Sequence, residues 1–413
     1  MAHTVMKDFR DMTRQTFRLT AAAAALALAY GLASAQSGAT RPRRVIPVQP
    51  TTDAATAGAN STASAGRAPT PAAGPAQAST AHAFTLLQQK QYDAALQEAR
   101  QVASADEKNS EAWKIAGFAE FYLKQYAKAA EDLGHALDLR KASGGEDAET
   151  ERALAQAYFF AEDYERALPL LAAATQPKAG AKPDADMLYY RAIAEMNLKK
   201  SADAERSFGE VLKADPKNKF ALLYLGQLAY ARGDYTATIN ALNRATLADP
   251  TFAQAWELLV GSYLNRAKAA TGAAADADYL SAVRAADSLA RLKNDEQTAA
   301  LQGQALFFAK QYVRAAAALE RAAASPKAPE GTHFLLGYSY FQAKNYPKAI
   351  PALEQAAARA PDNADIYRLL GFSYETTKQY AKALEAYEKG LQLAPTDAYF
   401  KEGADRVRPV AKP

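Results

Sequence analysis

Gly303, Gly337 and Gly371 recur every 34 residues; Tyr312, Tyr346 and Tyr380 follow them nine residues later, and Ala315, Ala349 and Ala383 twelve residues later. A period of this length marks one supersecondary unit that cannot bury its apolar face alone and must stack on its neighbours. The 413-residue chain is therefore read as one repeated array rather than as a set of unrelated domains. Its body is rich in Ala, Leu, Lys and Glu and poor in turn formers, which points to an all-α fold.

The first 75 residues stand outside that array. Lys7, Arg10, Arg14 and Arg18 precede an uncharged stretch from Leu19 to Leu32, and Ala33-Ser34-Ala35 supplies the small residues of a cleavage site. Residues 1–35 are expected to be a secretory signal cut between Ala35 and Gln36, which would place the mature protein in the periplasm or outside the cell. An uncleaved anchor is the rival, although the stretch is shorter than the roughly 20 apolar residues of a comfortable membrane span. A start at Met12 would leave a leader of more typical length. Residues 36–75, mostly Ala, Thr, Ser, Gly and Pro, lack the apolar surface to offset their ordering entropy and are expected to be a disordered tether.

These segments carry +2 and +3 of the overall charge of +4, and the remainder from residue 76 carries a net charge of −1, so no basic face for nucleic acid is expected there. The absence of cysteine excludes disulfides, thiol nucleophiles, cysteine-bound zinc and an acylated cysteine after the signal.

Counted from seven residues before its glycine, the last repeat runs from Ala364 and places Tyr367 at position 4, Leu370 at 7, Gly371 at 8, Tyr374 at 11, Tyr380 at 17, Ala383 at 20, Tyr387 at 24, Gly390 at 27 and Pro395 at 32. This pattern resembles that of the tetratricopeptide repeat (TPR) family, in its exported form with an N-terminal signal. The resemblance implies a right-handed superhelical solenoid of antiparallel helix pairs. About nine units are expected over residues 76–397, starting near 76, 110, 148, 185, 219, 253, 296, 330 and 364, with residues 398–413 as a capping helix and tail. Residues 267–278 insert within the sixth hairpin and are read as an elongated helix pair in preference to a binding loop. Shorter insertions at 143–146 and 176–182 are read as turns.

No phosphate loop, metalloprotease motif or nucleophile elbow appears, and His3, His82, His135 and His333 lie at unlike repeat positions without metal-ligand spacing. The expectation is a non-enzymatic protein with no catalytic residues, no metal and no cofactor.

The TPR resemblance further implies that positions 2, 5, 9, 12 and 13 face a concave binding surface. In this chain positions 9, 12 and 13 hold Phe118, Phe121 and Tyr122, then Phe159 and Phe160, Tyr230, Phe307 and Phe308, Tyr338 and Phe341, and finally Phe372. Phe121, Phe159, Tyr230, Phe307 and Phe341, at position 12, are assigned to packing before contact; Phe118, Tyr338 and Phe372, at position 9, are the favoured contact residues. Arg152 and Arg368 are the cations noted at position 5, too far apart in sequence to form the basic clamp of TPR co-chaperones. Such a groove suits a peptide or protein partner with apolar anchors, as in an envelope scaffold. The alternative is a carbohydrate-handling or enzyme-associated envelope protein in which the same rings stack on sugars; a further reading is self-association through the solenoid ends.

Overall fold

The computed structural model describes residues 78–176 and 184–411. The expected signal, its cleavage point at Ala35 and Gln36, the tether, His3 and most of the second short insertion lie outside the described residues. Those described form 19 helices in two units, 78–216 and 217–411.

The N-terminal unit holds α1 (Thr80–Gln88), α2 (Tyr92–Ala105), α3 (Ser110–Tyr122), α4 (Tyr126–Ala142), α5 (Ala148–Phe160), α6 (Tyr164–Ala174), α7 (Ala185–Asn197) and α8 (Ser201–Ala214). The C-terminal unit holds α9 (Lys219–Ala231), α10 (Tyr235–Ala248), α11 (Ala253–Ala269), α12 (Gly272–Leu292), α13 (Glu296–Phe308), α14 (Tyr312–Ala323), α15 (Thr332–Gln342), α16 (Tyr346–Arg359), α17 (Ala364–Thr376), α18 (Tyr380–Leu393) and α19 (Ala398–Val407). Within each unit every helix packs on the next, and the first helices of successive pairs also touch.

Two local devices make each pair a hairpin. The first helix of most repeats starts on an Asp or Asn whose side chain accepts first-turn N–H groups, as Asn109, Asp147, Asp184, Asn218, Asp295 and Asn363 do. That helix ends at position 15 in a left-handed residue: Lys90, Lys124, Glu162, Lys199, Gly233, Lys310, Lys344 and Lys378 all have positive φ. In the last of these turns the Lys378 N–H donates to the Glu375 carbonyl and the Gln379 N–H to that of Tyr374, a Schellman closure that satisfies two orphan carbonyls and reverses the chain.

The hairpin closes where position 8 meets position 24. A Cβ on Gly337 would stand 2.6 Å from Leu353 Cγ, so the glycine is what lets the second helix lay a large side chain against the first. Gly371 faces the wholly buried Tyr387 in the same way, and Tyr387 also lies against Gly403 of α19. Seams between repeats are filled by rings and aliphatic side chains; in the N-terminal unit Leu87, Ile115, Phe118, Phe121, Leu133 and Leu154 join one buried cluster.

The insertion at 267–278 extends the helices. α11 runs 17 residues and α12 runs 21, joined through Ala270 and Thr271. Arg266 clasps Asp278 across this lengthened pair with two hydrogen bonds of 2.8 and 2.7 Å. The insertion at 143–146 opens with a turn at Ser143 and the positive-φ Gly144 and continues as irregular chain into the next helix.

Candidate functional site

The aromatic positions of the array are organised by one contact that recurs. The ring at position 12 meets the tyrosine at position 17 edge-on: Phe121 with Tyr126 at 5.4 Å, Phe159 with Tyr164 at 5.8 Å, Tyr230 with Tyr235 at 5.4 Å, Phe307 with Tyr312 at 5.8 Å and Phe341 with Tyr346 at 5.6 Å. Each pair brackets the left-handed turn and locks its two helices together. Phe121, Phe159 and Phe307 are buried, as their packing assignment requires, whereas Tyr230 and Phe341 are half-buried. Burial raises the Tyr230 phenol pKa, and the Asn265 amide donates to its oxygen at 2.7 Å.

Position 13 reaches into the preceding repeat. Tyr122 stacks on Tyr92 at 4.8 Å, Phe160 on Tyr126 at 5.2 Å and Phe308 on Tyr279 at 5.7 Å. Being half-buried between repeats, each has one face committed to packing.

Position 9 corrects the expectation most. Phe118 is 1% exposed and Tyr338 8%, so both favoured contact residues are interior side chains; Phe372 at 36% presents its ring to solvent. Phe118 sits in the seam with Phe121, Ala153 and Leu154, and Tyr338 packs on Phe307 at 5.0 Å and Phe334 at 5.9 Å. Phe372 leans on Phe341 at 5.4 Å and Tyr346 at 5.7 Å, and a single helix follows its repeat.

The position-5 cations are also corrected. Arg152 is ion-paired with Asp184, and Arg368 with Asp397 and, at 3.8 Å, Asp365, while its guanidinium covers the rings of Tyr399 and Phe400. Lys114, overlooked in the sequence although it holds position 5, bridges Asp147 at 2.9 Å and Glu149 at 3.0 Å. Burial works against its charge, yet the two carboxylates hold its pKa above the ordinary value. Asp365 lies on the same helix as Arg368, whereas Asp147, Asp184 and Asp397 cap the helix that follows and Glu149 lies in its first turn, so these cations tie each repeat to the next helix of the stack.

Buried acids form a further polar set absent from the sequence reading. Arg100 reaches Glu120 at 3.0 Å and Asp132 at 2.7 Å, with both carboxylates almost wholly buried. Burial, then the Glu120 charge, pushes the Asp132 carboxyl up to about 7 against the pull of Arg100. Glu195 is buried beside Arg191 at 2.8 Å. Glu120 and Glu195 share position 11, where the signal was a charge at an otherwise apolar place in the pattern.

Among the described residues no three His, Asp or Glu side chains gather to hold a metal, and no helix is long and apolar enough to cross a membrane. His82 contacts Glu98 at 2.6 Å, His135 lies edge-on to Trp113 and His333 is half-buried.

The helix pairs, their closing turns and the position-8 contacts define an all-α array of tetratricopeptide repeats. Family comparison agrees: a tetratricopeptide repeat family matches residues 152–219 and 334–398, a second of the same description matches 198–260, and the family described as anaphase-promoting complex, cyclosome, subunit 3 matches 276–356. The protein is of the kind that serves as a protein-interaction scaffold. No curated protein matches the chain in sequence.

Similar solved structures include YrrB, a TPR protein with an unusual peptide-binding site, at 19% identity and TM-score 0.38 over 43% of this chain and 87% of that one. MamA is similar at 21% identity and TM-score 0.38 over 44% of this chain and 95% of its own. A tetratricopeptide repeat protein from Parabacteroides merdae is similar at 14% identity and TM-score 0.39, covering 63% of this chain and 98% of that one.

Proposed function

We propose that this protein is a non-enzymatic scaffold that captures a polypeptide through apolar anchors, with Phe372 as the main contact and the half-buried Phe341 and Tyr346 as its floor. The observation that carries this reading is the contrast at position 9: the ring is interior in Phe118 and Tyr338 and turned to solvent in Phe372. An exposed ring seated on two others gives a rigid apolar contact for little conformational loss, the usual character of an anchor-binding hot spot. The backbone beneath it is already ordered, so the partner alone bears the ordering cost.

Export by the leader and a role in assembling an envelope complex complete the proposal. Peptides selected from a displayed random library on the purified chain are expected to carry an aromatic or aliphatic anchor and to bind at least about ten-fold more weakly to Phe372→Ala, the loss of one buried anchor. Selected peptides that bind Phe372→Ala as well as the parent would move the site elsewhere. Sugar stacking is the less favoured reading, because Arg368, the cation nearest in the repeat to this ring, is already held by Asp397.

A further inference from the structure

Three departures from what stability alone would choose coincide on one edge of the C-terminal unit. The first is at position 15, where Lys310, Lys344 and Lys378 adopt φ of 60°, 58° and 62°. A left-handed conformation costs a non-glycine residue roughly 1 kcal/mol, and Gly233 shows that glycine serves at this same place. These three side chains are exposed and have no ion-pair partner among the described residues.

The second departure lies at the start of the second helices. α14, α16 and α18 have no acid in their first turn and instead carry Arg314, Lys348 and Lys382 there, against the helix dipole. Asp287, Glu320 and Glu354 from the preceding repeats reach these cations at 3.0, 3.4 and 3.9 Å. Half of the six cations thus remain unneutralised.

The third departure is apolar. Beside each cation pair stands an exposed position-18 residue: Val313 at 75% exposure, then Pro347 and Ala381, with Leu280 at 45% in the place that follows Tyr279 on α12. Because the hairpins stack, the turn of one repeat lies beside the turn of the next, and the edge reads as an apolar row between two cationic rows. The N-terminal unit carries exposed left-handed lysines as well, at Lys90, Lys124 and Lys199, but Asp93, Glu162, Asp163, Glu165 and Asp203 break its cationic rows.

We propose that this edge of the C-terminal unit is a docking surface for an anionic lipid bilayer. The lysines are exposed point charges on turns, one to a repeat, and an ammonium has no bidentate geometry, which suits a diffuse sheet of headgroup charge and not a shaped carboxylate ligand. The exposed apolar row between them would enter the headgroup layer, as the apolar face of an interfacial segment does. This contact is independent of Phe372.

The test uses the full chain and sedimentation with vesicles of about 30 mol % phosphatidylglycerol in phosphatidylcholine, the anionic content that gives the surface its potential. The triple variant K310G/K344G/K378G removes the charge while relieving the backbone, so loss of fold cannot mimic the effect. It is expected to bind roughly 100-fold more weakly than the parent, about five-fold per lysine. Parent binding should also fall as salt rises and be weak on pure phosphatidylcholine. Equal binding by the triple variant, or equal parent binding to neutral vesicles, would overturn the proposal. Binding of soluble polyglutamate at the same edge more tightly than vesicles would also overturn it, in favour of an acidic polypeptide.

Discussion

Position 11 of the repeat holds a buried polar side chain in both units, and the two units treat it in opposite ways. In the N-terminal unit Glu120 and Glu195 place the carboxylate itself in the interior, where Arg100 and Arg191 must follow. In the C-terminal unit Tyr340 and Tyr374 span the same depth with a ring and hydrogen-bond outward to Glu320 and Glu354, which remain near water. A phenol delivers one neutral donor at the end of an apolar body, so no charge is desolvated. A buried acid must be neutralised by an arginine or by a proton, which ties that half of the molecule to pH.

The largest effect should come from Arg100→Met, which leaves Glu120 and Asp132 uncompensated. A loss of about 3–5 kcal/mol is expected for the N-terminal unit in urea unfolding. Tyr374→Phe in the C-terminal unit should cost about 1 kcal/mol, since the acid it releases can be hydrated. Equal losses would break the comparison.

Next is pH. Asp132 has a folded pKa pushed up to about 7 against an ordinary 3.8, so the folded state holds its proton longer than the unfolded chain. Its stabilisation is full below about pH 4 and is lost as pH rises to about 7. Urea midpoints of the N-terminal unit should fall over that window and flatten in Asp132→Asn, while the slope of the C-terminal transition, where burial raises the Asp365 carboxyl, should not respond to that substitution. An unchanged slope in Asp132→Asn would assign it to another group.

Position 8 sharpens the contrast at lower cost. Gly337→Ala would press a Cβ on Leu353 and should lose roughly 1–2 kcal/mol by thermal melting, overpacking exceeding the gain in helix propensity. The N-terminal unit already accepts alanine there in the fully buried Ala155, and Ala155→Gly should cost about 1 kcal/mol through chain entropy and a lost contact. The smallest effect runs the other way. Lys344→Gly should raise stability by about 0.5–1 kcal/mol, as should Glu162→Gly, because both relieve a left-handed residue.

The fold was legible because its signal is periodic. Gly337 and Leu353 recur in register with Gly303 and Leu319, and a period of 34 residues admits few architectures. The lengthened pair α11 and α12 was legible too, since its inserted residues are helix formers without a breaker until Gly272. The site was not. Phe118, Tyr338 and Phe372 hold one repeat position, and sequence gave them one role, yet the neighbouring repeat encloses the first two and leaves the third open. Arg152 and Arg368 were read as available cations because their partners, Asp184 and Asp397, cap the helix that follows the repeat. Lysines stand in the same beat at 310, 344 and 378, as they do at 90 and 124, but charge on a turn is so common that its spacing alone carries no signal.

By itself the sequence determined what is local and repeated: helix, turn, the small residue at position 8 and the large one opposite it. These depend on side-chain volume and backbone conformation within a single hairpin. Tertiary structure alone decided which rings are covered, which charges are cancelled and which acid must keep a proton. Those outcomes depend on the neighbouring repeat, whose approach removes water from one side of a residue and leaves the same repeat position elsewhere exposed.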